Sequence, residues 1–226
     1  MPKFAWLGHS AFQFVTDKGL VVFVDPWISK NPHHPTKKLP EKADLILVTH
    51  DHSDHKGDAI QIANETGAKV IAQPETMNKM IRDGLNPENA IKMNIGGTVK
   101  FDGFQALMVH AFHTSETGVP AGYIMTIDGK VVYHLGDTGL FGDLKLFGEL
   151  YQMDYALIPV GGHFTMDHKH GAIAAKMLNA KKVIPIHYKT FPLLLQDIQP
   201  FIDEVKRVDP KIEVLVPNVG EDMVLE

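Results

Sequence analysis

The sequence predicts an α/β fold, a four-layer αββα sandwich of two mixed β-sheets with helices covering the outer faces. Three observations lead there. Tight-turn signals stand between β-rich runs in both halves of the chain, "DKG" at 17–19 and "DG" at 102–103 and 128–129, which marks hairpins. After each hairpin set the pattern changes to strands alternating with helices. No Pro/Gly/Ser-rich linker divides the 226 residues, so residues 1–226 are expected to form one domain. Hairpin-joined strands argue against the competing all-parallel, doubly wound sheet.

Taken in order, "KFAWLGHSAFQFVTD" and "KGLVVFVDPW" read as two β-rich runs joined at 17–19. Residues 26–43 carry four prolines and four lysines with little periodicity, which is a long surface loop. "DLILVTH" reads as a buried strand, followed by a helix at 57–66, the strand "AKVIAQ" and a helix from Pro74 that stops near Gly84. The second half repeats the plan with "TVKF", "FQALMVHAFH", "AGYIMTI" and "KVVYHLGD" as antiparallel strands. A helix at 139–151, the strand "YALIPV", a helix with Ile173, Ala174, Met177 and Leu178 on one face, and the strand "KVIPIHY" follow. Phe191 to Val205 show helical spacing with starts suggested at Pro192 and Pro200, and "IEVLVP" closes the sheet.

Composition narrows the function. Apolar residues make up 44 % and charged residues 22 %, the balance of a globular chain. The longest apolar runs, such as "LVVFV" at 20–24, are strand-sized and far short of the roughly 20 residues of a membrane helix. The first ten residues lack the basic and apolar regions of a signal peptide, so a cytoplasmic location is expected. With no cysteine, disulfides, thiolate nucleophiles and cysteine zinc sites are all excluded. A formal charge of −5 argues against nucleic-acid binding, which rests on a dense basic surface. The expected partner is a small-molecule substrate, and composition leaves a homo-oligomer open. The 13 histidines are the unusual feature.

Their densest cluster is "THDHSDH" at 49–55, directly after the apolar run "LILV". This places His50, His52, Asp54 and His55 at the C-terminal end of a buried strand, where the crevice of an α/β sheet lies. Alternate residues of an extended segment share a side, so His50 and His52 can grip one ion. Asp54 and His55, past the turn, can serve a second ion about 3.5 to 4 Å away. The alternative is a solvated turn in which Asp51, Ser53 and Asp54 cap the next helix. Its weakness is that clustered imidazoles gain nothing from proximity and repel when protonated. Further ligands are available at other strand ends: His110 and His113, His134 and Asp137, and His187. Each alone reads equally as a hydrogen-bonded strand-end histidine or, for Asp137, a helix N-cap.

The H-x-H-x-D-H run at 50–55, His113, "GDT" at 136–138 and "PIHY" at 185–188 together resemble the metallo-β-lactamase superfamily, in that superfamily's order, as does "VDP" at 24–26. "GHS" at 8–10, "AFHTS" at 111–115, "VPAG" at 119–122, "YHLGDT" at 133–138, "GELYQMD" at 148–154, "HFTM" at 163–166 and "IHYKTFP" at 186–192 are similar to a bacterial and archaeal branch of metal-dependent hydrolases related to the ascorbate-6-phosphate lactonases. The resemblance implies the metallo-β-lactamase fold and two divalent metal ions. One would be held by His50, His52 and His113, the other by Asp54, His55 and His187, with Asp137 bridging. It favours His113 over His110, because its histidine directly precedes small hydroxyl residues, here Thr114 and Ser115. Asp25 would orient the ligand turn, with a plain strand-end turn as the rival reading. His134 would bond a ligand or substrate or else sit satisfied in the core, and His163 would contact substrate or face solvent. His9 matches the branch without an assigned role, and His33 and His34 are expected on the surface.

Two cations sharing a water lower its pKa from 15.7 toward about 7, so the expected activity is hydrolysis by a metal-bound hydroxide of an ester, lactone or phosphodiester. Asp54 and Asp137 are the expected catalytic carboxylates, Asp54 relaying a proton to the leaving group. The chain has neither G-x-S-x-G nor G-x-x-x-x-G-K-[ST], which leaves water as the nucleophile. The mixed imidazole and carboxylate set suits Zn2+ first, with Mn2+, Fe2+ and Ni2+ as alternatives. Lys30, Lys37 and Lys38 on the long loop either meet an anionic substrate or form a solvated face. The rival function is a non-catalytic metal-binding module of the same fold, with closed coordination.

Overall fold

The computed structural model describes residues 1–226. Strands β1 (Lys3–Trp6), β2 (Phe12–Val15) and β3 (Val21–Val24) run antiparallel, and β4 (Leu45–Leu47), β5 (Lys69–Ala72) and β6 (Ala90–Lys92) continue in parallel from β3. In the second half, β7 (Thr98–Phe101), β8 (Phe104–His110), β9 (Ala121–Ile127) and β10 (Lys130–His134) are antiparallel. β11 (Tyr155–Pro159), β12 (Lys182–Ile186) and β13 (Glu213–Val214) then add in parallel. A last strand, β14 (Asp222–Val224), returns to pair with β1, so the two seven-stranded sheets read β14-β1-β2-β3-β4-β5-β6 and β13-β12-β11-β10-β9-β8-β7. The expected sandwich of two mixed sheets flanked by helices is therefore observed. The same change from hairpins to parallel strands occurs in both sheets, at β3/β4 and at β10/β11.

The helices are α1 (Ser53–Lys56), α2 (Ala59–Thr66), α3 (Pro74–Arg82), α4 (Asp143–Leu150), α5 (His168–Met177) and α6 (Gln199–Val208). α3 starts on Pro74 and buries Met77 and Met80; α6 turns Phe201 and Val205 inward, each burial contributing about 1.5–3 kcal/mol. One apolar cluster draws on both sheets, from Phe4 and Phe14 to Tyr133 and Val183. Polar links cross the sandwich as well: the Tyr123 hydroxyl donates to the Val48 carbonyl at 2.9 Å, and the Ala121 N–H to the Thr49 carbonyl at 3.1 Å. No helix is long and apolar enough to cross a membrane.

Several boundaries differ from expectation. The helix expected at 57–66 starts at Ala59, preceded by the separate short α1, because Gly57 between them takes φ +47° where a Cβ would lie 2.6 Å from the Pro26 carbonyl, so the turn after β4 and the long loop meet at a residue without a side chain. The helix expected from 139 starts only at Asp143, and of the two starts at Pro192 and Pro200 only the second begins a helix. The first β-rich run is two strands, broken where Gly8 (φ +92°) and His9 (φ +57°) reverse the chain. His34, expected on the surface, is buried within the 26–43 loop.

Candidate metal centre

The structure gathers the predicted residues at one edge of the sandwich. Asp25 follows β3, His50 to His55 follow β4 and run into α1, His113 follows β8, Asp137 follows β10 and His187 follows β12. Five strand ends thus converge, at the carboxyl edge where both sheets change from hairpins to parallel pairing. Asp25, His50, His55, Asp137 and His187 are buried, whereas His52, Asp54 and His113 keep partial access to solvent. Three sets of side-chain donors close enough to share an ion emerge: His50, His52 and His113; His50, His55 and Asp137; and His9, Asp54, His55 and His187.

Asp137 lies between the groups. Its Oδ2 is 3.0 Å from His187 Nε2 and 3.6 Å from His113 Nε2, and its Oδ1 is 3.2 Å from His55 Nε2. The last pair is misaligned for a hydrogen bond, so Asp137 Oδ1 and His55 Nε2 are both buried and unpartnered, two donor-set atoms aimed at a common point. This is the arrangement a cation satisfies, and the imidazole and carboxylate set suits one.

Beneath these atoms, Asp25 sets their protons. Its Oδ1 accepts the Thr49 N–H at 2.8 Å; its Oδ2 accepts the Thr49 hydroxyl at 2.6 Å and His55 Nδ1–H at 2.7 Å. The Thr49 hydroxyl, having given its proton to Asp25, accepts from His50 Nδ1–H at 3.0 Å. In their neutral forms both His50 and His55 are thereby favoured as Nδ1–H tautomers with the lone pair on Nε2, which in His50 faces His52 Nδ1 at 3.0 Å. Asp51 braces the neighbouring loop, accepting from the Ser115 hydroxyl at 2.7 Å and the Glu116 N–H at 2.9 Å, two and three residues past His113.

Electrostatics follow from burial and crowding. Burial, then the nearby His55, push His50 down to about 3. Burial opposes charge on His55 as well, but Asp137 and Asp25 outweigh it and raise it well above the ordinary imidazole value. Burial disfavours an ionised Asp137, yet His187 and His55 hold its carboxyl well below the usual range. Asp54 is likewise lowered against its burial, through the His9 hydrogen bond and His55. Without an ion, the two carboxylates beside His55 therefore favour positive charge at the point where a cation would sit.

One contributor had no role assigned from the sequence. His9 is wholly buried, with Nε2 3.1 Å from Asp54 Oδ2 and Nδ1 2.9 Å from the Thr190 hydroxyl. Its backbone carbonyl accepts the His187 N–H at 3.1 Å. Of the other candidates, His134 is buried, where Nε2 donates to the Ser10 carbonyl at 2.8 Å and Nδ1 accepts the Gly136 N–H at 3.1 Å, one residue before Asp137. His163 is exposed, and its neighbour Phe164 is the one that lines the cavity. His110 turns away to pair with Asp143.

Residues 3–187 match the family described as the beta-lactamase superfamily domain. The chain belongs to the metallo-β-lactamase superfamily. Within that superfamily it is 46 % identical over 216 residues to a UPF0173 metal-dependent hydrolase of Methanosphaera stadtmanae, covering 90 % of this chain and 91 % of the relative. Its fold matches Igni18, a metallo hydrolase of Ignicoccus hospitalis, with TM-score 0.89 and 39 % identity over 98 % of this chain and 97 % of that one. It also matches a metal-dependent hydrolase of Parabacteroides distasonis with TM-score 0.76 and 26 % identity, covering 96 % and 93 %. This metallo-β-lactamase superfamily member thus carries a metal-binding site of hydrolase type. The implied kinship with ascorbate-6-phosphate lactonases finds no specific support in these matches.

Proposed function

We propose that residues 1–226 act as one binuclear metal-dependent hydrolase on an ester, lactone or phosphodiester of a small molecule. On this reading His50, His52 and His113 hold one divalent ion, Asp54, His55 and His187 hold the other, and Asp137 serves both. Zn2+ is the first assignment, ahead of Mn2+, Fe2+ and Ni2+. Bound there, such ions would acidify water near neutral pH and polarise a carbonyl or phosphoryl oxygen. The observation that carries the reading is the pair of buried, unpartnered atoms, Asp137 Oδ1 and His55 Nε2, which face each other at 3.2 Å while Asp25 fixes the His55 ring through Nδ1.

The chain's own groups divide the work. Asp25 fixes tautomers, Asp51 and His9 brace the ligands, and Asp54, facing the cavity, is placed to carry a proton to the departing oxygen. A cavity of about 840 Å3 opens over His52, Asp54, His113, Asp137 and His187, which supports an enzyme rather than a module with closed coordination. Lactones are among the substrates to be tried because a lactone carbonyl, like an ester's, suits attack by acidified water. The test is metal content by mass spectrometry with turnover of generic esters, lactones and phosphodiesters, for wild type, His50→Ala and Asp137→Ala. Two equivalents of metal and turnover that falls about 100-fold or more in both variants are expected. Tight metal binding without turnover of any substrate would instead establish the non-catalytic module.

A further inference from the structure

The wall of the cavity differs in kind from its floor. Away from the candidate ligands it is built by Trp27, Phe164, Phe191, Pro192 and Leu193, and none of its lining residues is lysine or arginine. Trp27 and Phe191 pack 5.8 Å apart between ring centres, and Phe191 meets the His9 ring edge-on at 5.5 Å, so the apolar wall begins directly beside Asp54. Towards the mouth, Phe164 and Leu193 stand 49 % and 64 % exposed. Apolar side chains of this size, side by side at the rim of a cavity, are the surface that an apolar ligand group covers.

Charge tells the same story. Lys56 and Lys79 border a second groove that shares His52, Ser53 and Asp54 with the cavity, but both pair with Asp83, at 3.2 and 2.9 Å, and Lys189, between His187 and Phe191, lies over the Tyr188 ring. On the long loop, Lys37 is tied to the Asn31 carbonyl and Lys38 to Glu41. Phosphoryl transfer spreads charge over three equatorial oxygens, which enzymes meet with lysine or arginine clamps besides metal ions. Acyl transfer develops charge on one oxygen only. A phosphorylated substrate would also lay its phosphate against the aromatic wall without a partner.

We propose that the substrate is an uncharged carboxylic ester or lactone whose non-reacting part is an apolar acyl group, seated against Trp27, Phe191 and Leu193. The proposal rests on the hydrolase reading above and narrows its substrate class. The oxygen of water adds to the acyl carbon, the acyl C–O bond breaks, and a proton from that water passes to the leaving alcohol oxygen; no oxidant or reductant is needed. Leu193 and Phe191 are then specificity-determining residues.

The experiment compares metal-loaded wild type, Leu193→Ala and Leu193→Lys on p-nitrophenyl acetate, butyrate and hexanoate, on bis(p-nitrophenyl) phosphate and on 6-phosphogluconolactone. Calorimetric titration with hexanoate and inorganic phosphate runs alongside. For wild type, kcat/KM rises about fourfold per added methylene until the wall is covered, and hexanoate binds more tightly than phosphate. In Leu193→Ala the hexanoyl-to-acetyl ratio falls roughly tenfold, and further in Leu193→Lys. Leu193 is mostly exposed, so neither change threatens the core. A flat dependence on acyl length, an unchanged ratio in both variants, or preference for the phosphodiester or phospholactone overturns this substrate class and leaves the hydrolase reading standing. Full metal occupancy with no turnover of any of the five substrates overturns both.

Discussion

Asp25→Asn is the most searching perturbation of the candidate centre, because it keeps size and shape and changes only which atoms carry protons. Asp25 accepts three hydrogen bonds, two on Oδ2 and one on Oδ1. If the new amide nitrogen replaces Oδ1, it confronts the Thr49 N–H, and a buried donor goes unsatisfied at a cost of about 1–3 kcal/mol. If it replaces Oδ2, it donates to His55 Nδ1 and the Thr49 hydroxyl, which frees that hydroxyl to donate to His50 Nδ1. Both imidazoles then carry their proton on Nε2, and both proposed metal positions lose a lone pair. Loss of such a supporting carboxylate typically costs 10–100-fold in metal affinity, about 1.4–2.7 kcal/mol. The assay is competition of Zn2+ against a chromophoric chelator, with thermal unfolding of the metal-free protein in parallel. The first orientation predicts a lowered midpoint, the second a weakened affinity at both positions. An Asn variant with wild-type affinity at both positions and an unchanged unfolding midpoint would refute the tautomer argument.

Three further outcomes follow from the same geometry. Asp51→Ala should release the loop after His113, seen as roughly tenfold faster amide exchange over residues 113–118; unchanged protection there would show that the loop is held otherwise. Gly136→Ala should destabilise by about 2–4 kcal/mol, lowering the midpoint by roughly 5–15 °C, because φ is +63° and a Cβ would lie 2.5 Å from the Ala121 carbonyl. For the metal-free protein, His9 is pushed from 6.5 to about 4 by burial and by His187, and His50 to about 3, so the unfolded chain takes up protons first. Their stabilisation is present above pH 6.5 and is lost as pH falls towards those values, about 3 kcal/mol for His9 alone. His55 has the opposite sign: its contribution is complete below 6.5 and lost as pH rises through its elevated folded value. The stabilisation from Asp54 and Asp137 is complete above about pH 4 and is lost only below it, as pH falls towards their depressed folded values. Urea denaturation between pH 7 and 4.5 should therefore show stability declining with acid; a flat profile would contradict the burial of His9 and His50.

What the sequence could reveal depended on how local each signal was. The turn at 49–55 was legible because seven consecutive residues carry the chemistry and a strand places them, and the hairpin turns were legible because Gly at "DG" and "DKG" has a backbone reason. Element ends were less so, since β14 is three residues long and owes its place to β1, a partner more than 200 positions away, and not to its own pattern. His9 was missed for a related reason. Its neighbours read as one continuous β-rich run, and only the three-dimensional path shows the chain turning at Gly8 and His9 to put an imidazole against Asp54.

His9, Asp25 and His187 all hold positive φ, at +57°, +47° and +57°, a conformation that none of these residue types prefers and that costs of order 1–3 kcal/mol each. Local propensity therefore points away from the observed backbone at three residues of the candidate centre. The surrounding structure overrides it: His187 N–H is held by the His9 carbonyl, and the Asp25 side chain by Thr49 and His55. Strain at the centre is thus borne by the two sheets that carry it. This explains why the candidate donors could be named from the 49–55 cluster and the family resemblance, with Asp25 beside them, while the contacts of His9, Thr49 and Asp51 that support them, being tertiary, could not.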